Sequence, residues 1–220
     1  MHPIIRVIGS LGLLLGFAVQ ASADDSALEQ GIQGLQSDWA LAKYRTPESE
    51  QDAAFAALNR RAEAFSAAHP QRAEPLIWEA IIESTHAGAV GGFGALSMVK
   101  HARDLLEQAE RLDASALQGS IYTSLGSLYY QVPGWPLGFG DDERAEALLQ
   151  KALALNPEGM DPNYFYGDFL RDQGRYQEAA RYLQKALEAP ARPNRPVADA
   201  GRRDEASRAL AEVRTHLASY

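Results

Sequence analysis

Three stretches of this chain share one pattern, and that pattern leaves few architectures open. Ala102, Leu106 and Ala109, then Ala145, Leu149 and Ala152, then Ala179, Leu183 and Ala186 each advance by four residues and then three. Such steps return to one face of an α-helix. Matching positions lie 43 and then 34 residues apart, so the repeated unit is longer than one helix. Elsewhere the apolar residues keep the same period, with Ile32, Leu35, Trp39 and Ala42 on one stripe and Phe55, Leu58, Ala62 and Phe65 on another. No stretch alternates as a strand would.

Helices are therefore expected near 25–44, 48–68, 73–88, 95–112, 115–131, 141–155, 161–173, 176–189 and 198–218, with Thr46 capping the second and Pro47 as its first residue. The connections are short except at 89–94 and 132–140, which makes successive helices antiparallel neighbours.

The clearest unit runs from Asp161 to Pro190. Gly167, Leu170, Gly174, Tyr176, Ala179, Leu183 and Ala186 stand there at alternating small and large positions. Gly167 and Ala179 are expected where two helices cross, and Gly174 where the first helix ends in a left-handed turn. This arrangement resembles the tetratricopeptide repeat. The preceding unit opens with Leu125, Gly126 and Tyr129 and resumes at Ala145, with seven extra residues in its turn, QVPGWPLGFGDDERA. A weaker unit runs from Trp78 to Ala114, its over-long turn holding GAVGGFGA from Gly88 to Ala95. The resemblance implies an all-α fold in which antiparallel helical hairpins stack as a short superhelix with a C-terminal capping helix. Residues 24–72 form an N-terminal helical pair, 73–190 the repeat domain, and 191–220 a linker and the cap.

Residues 1–23 are set apart as a signal peptide. A basic start is followed by the apolar run Val7 to Val19, too short to span a bilayer, and then by Ala21-Ser22-Ala23, a small-x-small cleavage signal. The chain has no cysteine, which excludes disulfides, thiolate sites and a lipidated cysteine. Export without disulfides points to a bacterial periplasm, with no stable membrane insertion after cleavage. The formal charge of −8 disfavours nucleic acid as a partner.

Catalytic signals are sparse. Glu79, Glu83 and His86 share a helix face at steps of four and three, a metal-like spacing. A di-iron bundle needs a second Glu-x-x-His helix, and the sequence holds one only. The plainer expectation is an exposed polar face. His69, His101 and His216 have no ligand spacing. Asp141-Asp142-Glu143 lacks the alternation of a calcium loop and suits a helix start. No nucleophile elbow, phosphate loop or dinucleotide fingerprint is present, so no cofactor and no enzymatic activity are expected.

The resemblance implies instead a concave groove lined by the first helix of each pair. Thr123, Ser127, Tyr130, Tyr164, Asp168 and Arg171 are expected to face it, with Trp135 and Phe139 of the insertion either packing on the fold or meeting a partner. A protein or peptide partner is the leading expectation. The alternative is a small-molecule-binding accessory protein of a periplasmic transport system, similar to the helical-repeat proteins of tripartite ATP-independent transporters; a metal-dependent enzyme is the third.

Overall fold

The computed structural model describes residues 12–219, and within them the side chains of residues 24–219 other than Phe93. The leader expected at 1–23 and its cleavage point thus fall outside the described side chains. Among the described residues there are nine α-helices: α1 (Gly12–Tyr44), α2 (Glu48–Ala68), α3 (Ala73–Val90), α4 (Gly92–Leu112), α5 (Ser120–Gln131), α6 (Asp142–Leu155), α7 (Met160–Asp172), α8 (Tyr176–Glu188) and α9 (Pro196–Ala218). None of them is long and apolar enough to cross a membrane.

The repeated alanines and leucines form the spine of the fold. All nine positions, from Ala102 to Ala186, are fully buried. They bring α3 against α4, α5 against α6 and α7 against α8 as antiparallel hairpins. The close crossings need glycine. A Cβ on Gly126 would stand 2.6 Å from Leu149 Cγ, and one on Gly167 only 3.0 Å from the Leu183 backbone nitrogen. Gly174 takes φ +70° at the end of α7, and the Arg175 N–H returns to the Leu170 carbonyl at 2.8 Å.

Three local expectations are corrected. The turn expected over Gly88 to Ala95 is a single residue, Gly91, because α3 continues to Val90 and α4 begins at Gly92; the additional residues extend the helices, and Gly91 and Gly92, at φ +62° and +69°, make the reversal. The helix expected from 115 begins at Ser120. Asp113 accepts hydrogen bonds from the Ser115 N–H and hydroxyl, and Leu117, Gln118 and Gly119 then adopt positive φ, which breaks the helical path. Pro47 precedes α2 as its N-cap rather than forming its first residue.

The stack also turns back on itself. The first helices of the pairs, α1, α3, α5 and α7, lie side by side on the inside, and α9 packs on both α7 and α8 and reaches α1. The inner ring is therefore closed. The N-terminal pair shares a second apolar cluster in which Trp39, Phe55 and Leu58 meet Trp78 and Ile82 of α3 and Ala198 of α9.

Candidate functional site

Closure of the ring rests on a few side chains. At the end of α1, Lys43 Nζ lies 3.1 Å from Glu205 of α9, and the Tyr44 hydroxyl donates to the same carboxylate at 3.1 Å. Gly201 lets the two helices meet, since a Cβ there would stand 2.4 Å from the Tyr44 ring. Behind this contact Arg202 bridges Glu205 at 2.6 Å and Asp161 of α7 at 2.9 Å, and its guanidinium covers the rings of Tyr164 and Phe165. Arg192 joins Asp161 at 2.6 Å to Asp199 at 2.7 Å.

Burial and pairing compete throughout this cluster. Burial alone would raise the Asp161 carboxyl, but Arg202, Arg192 and Arg195 outweigh it and hold the group well below the usual carboxylate range. Glu205 follows the same logic, with Arg202 and Lys43 overcoming burial. Burial lowers Lys43, and Arg202 adds to the effect. Tyr164 is pushed up to about 12, mainly by burial, with Asp168 contributing.

Two cavities flank the cluster inside the ring. One, of about 750 Å³, is lined by Trp39, Trp78, Thr123, Arg192 and Arg195 together with the turns that enter α5, α7 and α9. The other, of about 920 Å³, is mostly apolar, with Phe55, Leu96, Val99, Leu128, Leu137 and Tyr164 in its wall. Lys43, Ser84, Thr85, Ser127, Phe165 and Arg202 line both. The inner face is thus a lumen of two partly open cavities that share a waist. Volumes of this size suit small organic ligands.

The expected groove residues divide between this lumen and the packing around it. Thr123 lines the polar cavity, Ser127 both cavities, and Tyr164 the apolar one. Tyr130, Asp168 and Arg171 instead form a chain of contacts. The Tyr130 hydroxyl donates to Asp168 at 2.8 Å, Arg171 pairs with Asp168 at 2.7 Å, and Arg171 also binds Glu212 of α9.

In the insertion the two aromatics part company. Phe139 packs edge-on against Tyr129, with the Arg103 guanidinium 4.7 Å from its ring centre. Trp135 is 90% exposed and lines neither cavity, and Leu137 is 70% exposed at the rim of the apolar one. The loop is held shut from within: Gly140 N–H donates to the Pro133 carbonyl at 3.0 Å and Asp141 N–H to that of Tyr129 at 2.8 Å. A Cβ on Gly140 would overlap the Val132 carbonyl. The Asp141 side chain then caps α6 through the Arg144 N–H at 3.0 Å.

The metal-like trio is not assembled. Glu79 accepts from the Ser66 hydroxyl of α2, Glu83 meets His101 of α4 at 2.7 Å, and His86 lies between Asn59 at 2.8 Å and Asp52 at 2.7 Å. Among the described residues no group of three candidate ligands converges. The exposed polar face expected for these residues is also corrected, since α2 and α4 flank α3 and leave Glu79 and His86 buried.

Sequence reasoning missed most of the lumen's polar wall. Lys43, Asp161, Arg192, Arg195 and Arg202 of that wall, with Glu205 paired behind it, come from four distant segments. One signal was present: Arg202 is one helical turn before Ala206 and two before Leu210, so it interrupts the buried stripe of α9 with a charge.

With this geometry established, comparison with known proteins gives one family and one informative fold match. Residues 137–196 match the tetratricopeptide repeat family. The solved structure of TTC0263, a thermophilic TPR protein in Thermus thermophilus, superposes with a TM-score of 0.54 at 19% identity, covering 90% of this chain and 96% of that one. It shows the fold. The structure of MamA is similar at a TM-score of 0.44 and 21% identity, over 76% of this chain and 93% of that chain. No curated protein matches the sequence.

Proposed function

We propose that this chain, which carries a tetratricopeptide repeat at 137–196 in a stack of helical hairpins, is a non-enzymatic, exported binding module that holds a small organic ligand in its lumen. One observation carries the reading: α1 meets α9 through Lys43, Tyr44, Gly201 and Glu205. An open groove accepts a partner's helix about 10 Å across, whereas an inner face divided by the α1–α9 contact into cavities of about 750 and 920 Å³ favours a compact ligand. The periplasm is the compartment that the leader-like residues 1–23 support.

Tryptophan fluorescence tests this directly. Trp39 and Trp78 line the polar cavity, and Trp135 is the third tryptophan of the chain. In a Trp135→Phe variant the emission reports the lumen alone. Adding the small-molecule fraction of a host extract is expected to shift it saturably; unchanged emission with every fraction would count against a lumenal ligand.

A second reading, docking of a protein partner, is favoured by the exposed side chains of Trp135 and Leu137. Capture of a specific partner that survives replacement of both by Ala would remove the insertion from that reading.

A further inference from the structure

The charged cluster inside the ring has four cations, Lys43, Arg192, Arg195 and Arg202, against three carboxylates, Asp161, Asp199 and Glu205. Lys43 is paired with Glu205, Arg192 with Asp161 and Asp199, and Arg202 with Asp161 and Glu205. Arg195 alone makes no ion pair among the described residues, although it lines the polar cavity beside the others. Its Nε–H is buried without an acceptor. The guanidinium lies 5.1 Å from the ring centre of Trp78, and the indole N–H of Trp78, a residue only 3% exposed, is buried without an acceptor as well.

Burying N–H donors without acceptors is costly, and proteins ordinarily avoid it. Three further acids line the same cavity, and none of them pairs with Arg195. Glu74 is bound by Arg72 and Asp113 by Ser115, while Glu158 is exposed. What Arg195 lacks is a carboxylate within ion-pairing distance, a place that an anionic group from outside this chain would take. Past the waist at Phe165 the second cavity is lined chiefly by aliphatic and aromatic side chains.

We propose that the lumen is a site for a small monoanionic amphiphile, its anionic group held at Arg195 beside Trp78 and its apolar part extending past Phe165 into the apolar cavity. The proposal rests on the lumenal reading above and specifies its ligand class. Arginine suits the head group because it keeps its charge when buried and presents a planar fork to an oxyanion. Trp78 holds the guanidinium plane by cation–π contact.

The test compares sodium octanoate with 1-octanol by calorimetric titration of the full chain, in the unmodified protein, in Arg195→Met and in Trp78→Phe. Octanoate is expected to bind the unmodified protein more tightly than octanol. Arg195→Met should weaken octanoate on the order of tenfold to a hundredfold, the range for losing a charged hydrogen-bonding partner, and leave octanol unchanged. Trp78→Phe, which keeps the aromatic face, guards against misfolding of the first variant and should weaken octanoate severalfold. Equal affinity for the two probes, or octanoate binding indifferent to both substitutions, would overturn the anionic site while leaving the lumenal reading standing. Binding of neither probe would overturn the amphiphile proposal, and the fluorescence response to host extract would then decide separately whether the lumen takes any ligand.

Discussion

Tyr44 and Gly201 lie in van der Waals contact across 157 residues of sequence, and the absence of a side chain on Gly201 is what allows it. A methyl group there would stand 2.4 Å from the tyrosine ring. Gly201→Ala is therefore expected to cost about 1–3 kcal/mol by overpacking and to loosen α1 from α9. Gly88→Ala is the control, since nothing lies within 4 Å of its added carbon, and removing a helical glycine should stabilise by about 0.5–1 kcal/mol. Urea denaturation of the two variants checks both values. Equal effects would show that the closure is not tightly packed.

Asp161 links stability to acid. Its carboxyl is held below its ordinary value in the folded chain, so it contributes stability that is present above about pH 4, the unfolded value, and is lost as pH falls through the folded one. Asp161→Asn should cost about 3–5 kcal/mol at neutral pH, because Arg192 and Arg202 lose a buried counter-charge. Its stability should also fall less steeply below pH 4. Thermal melts across that range measure both effects.

Glu79 has the opposite sign. Burial raises its carboxyl, only partly offset by the Ser66 hydroxyl, so the folded chain gains from this group as pH falls and loses as pH rises through the raised value. Glu79→Gln keeps an acceptor for Ser66 and removes the buried charge. The variant should be more stable than the parent at neutral pH and the difference should shrink on acidification, as followed by melting temperature.

Within the insertion, stability and exposure separate. Phe139→Ala removes a ring packed on Tyr129 beneath Arg103 and should cost about 1–3 kcal/mol; Trp135→Ala, at a 90% exposed site, should stay within about 0.5 kcal/mol. Paired denaturant curves distinguish them. A large loss for Trp135→Ala would mean that the loop packs elsewhere in solution.

The hairpins were legible because their determinants are local and periodic. Ala145, Leu149 and Ala152, with Gly126 facing them, state a close helix crossing in a few turns of sequence, and the structure keeps that crossing. The lumen was legible only in part. Thr123, Ser127 and Tyr164 follow from the inner faces of repeated helices, whereas Lys43, Asp161 and Arg202 meet because the whole stack curves until its ends touch. Curvature accumulates from small rotations between pairs, and no single spacing encodes it. The linker around Arg192 and Arg195 read as a proline-rich connection for the same reason: its role depends on what α3 and α7 bring to it.

Native mass spectrometry of the protein purified from its host without denaturation, run beside a Ser127→Phe variant that fills the waist of the lumen, asks directly whether the lumen is a binding site. A population heavier than the bare chain by the mass of one small organic molecule is expected, lost on denaturation and absent from the variant. Bare protein alone in the parent, or the same adduct in both proteins, would contradict a lumenal ligand.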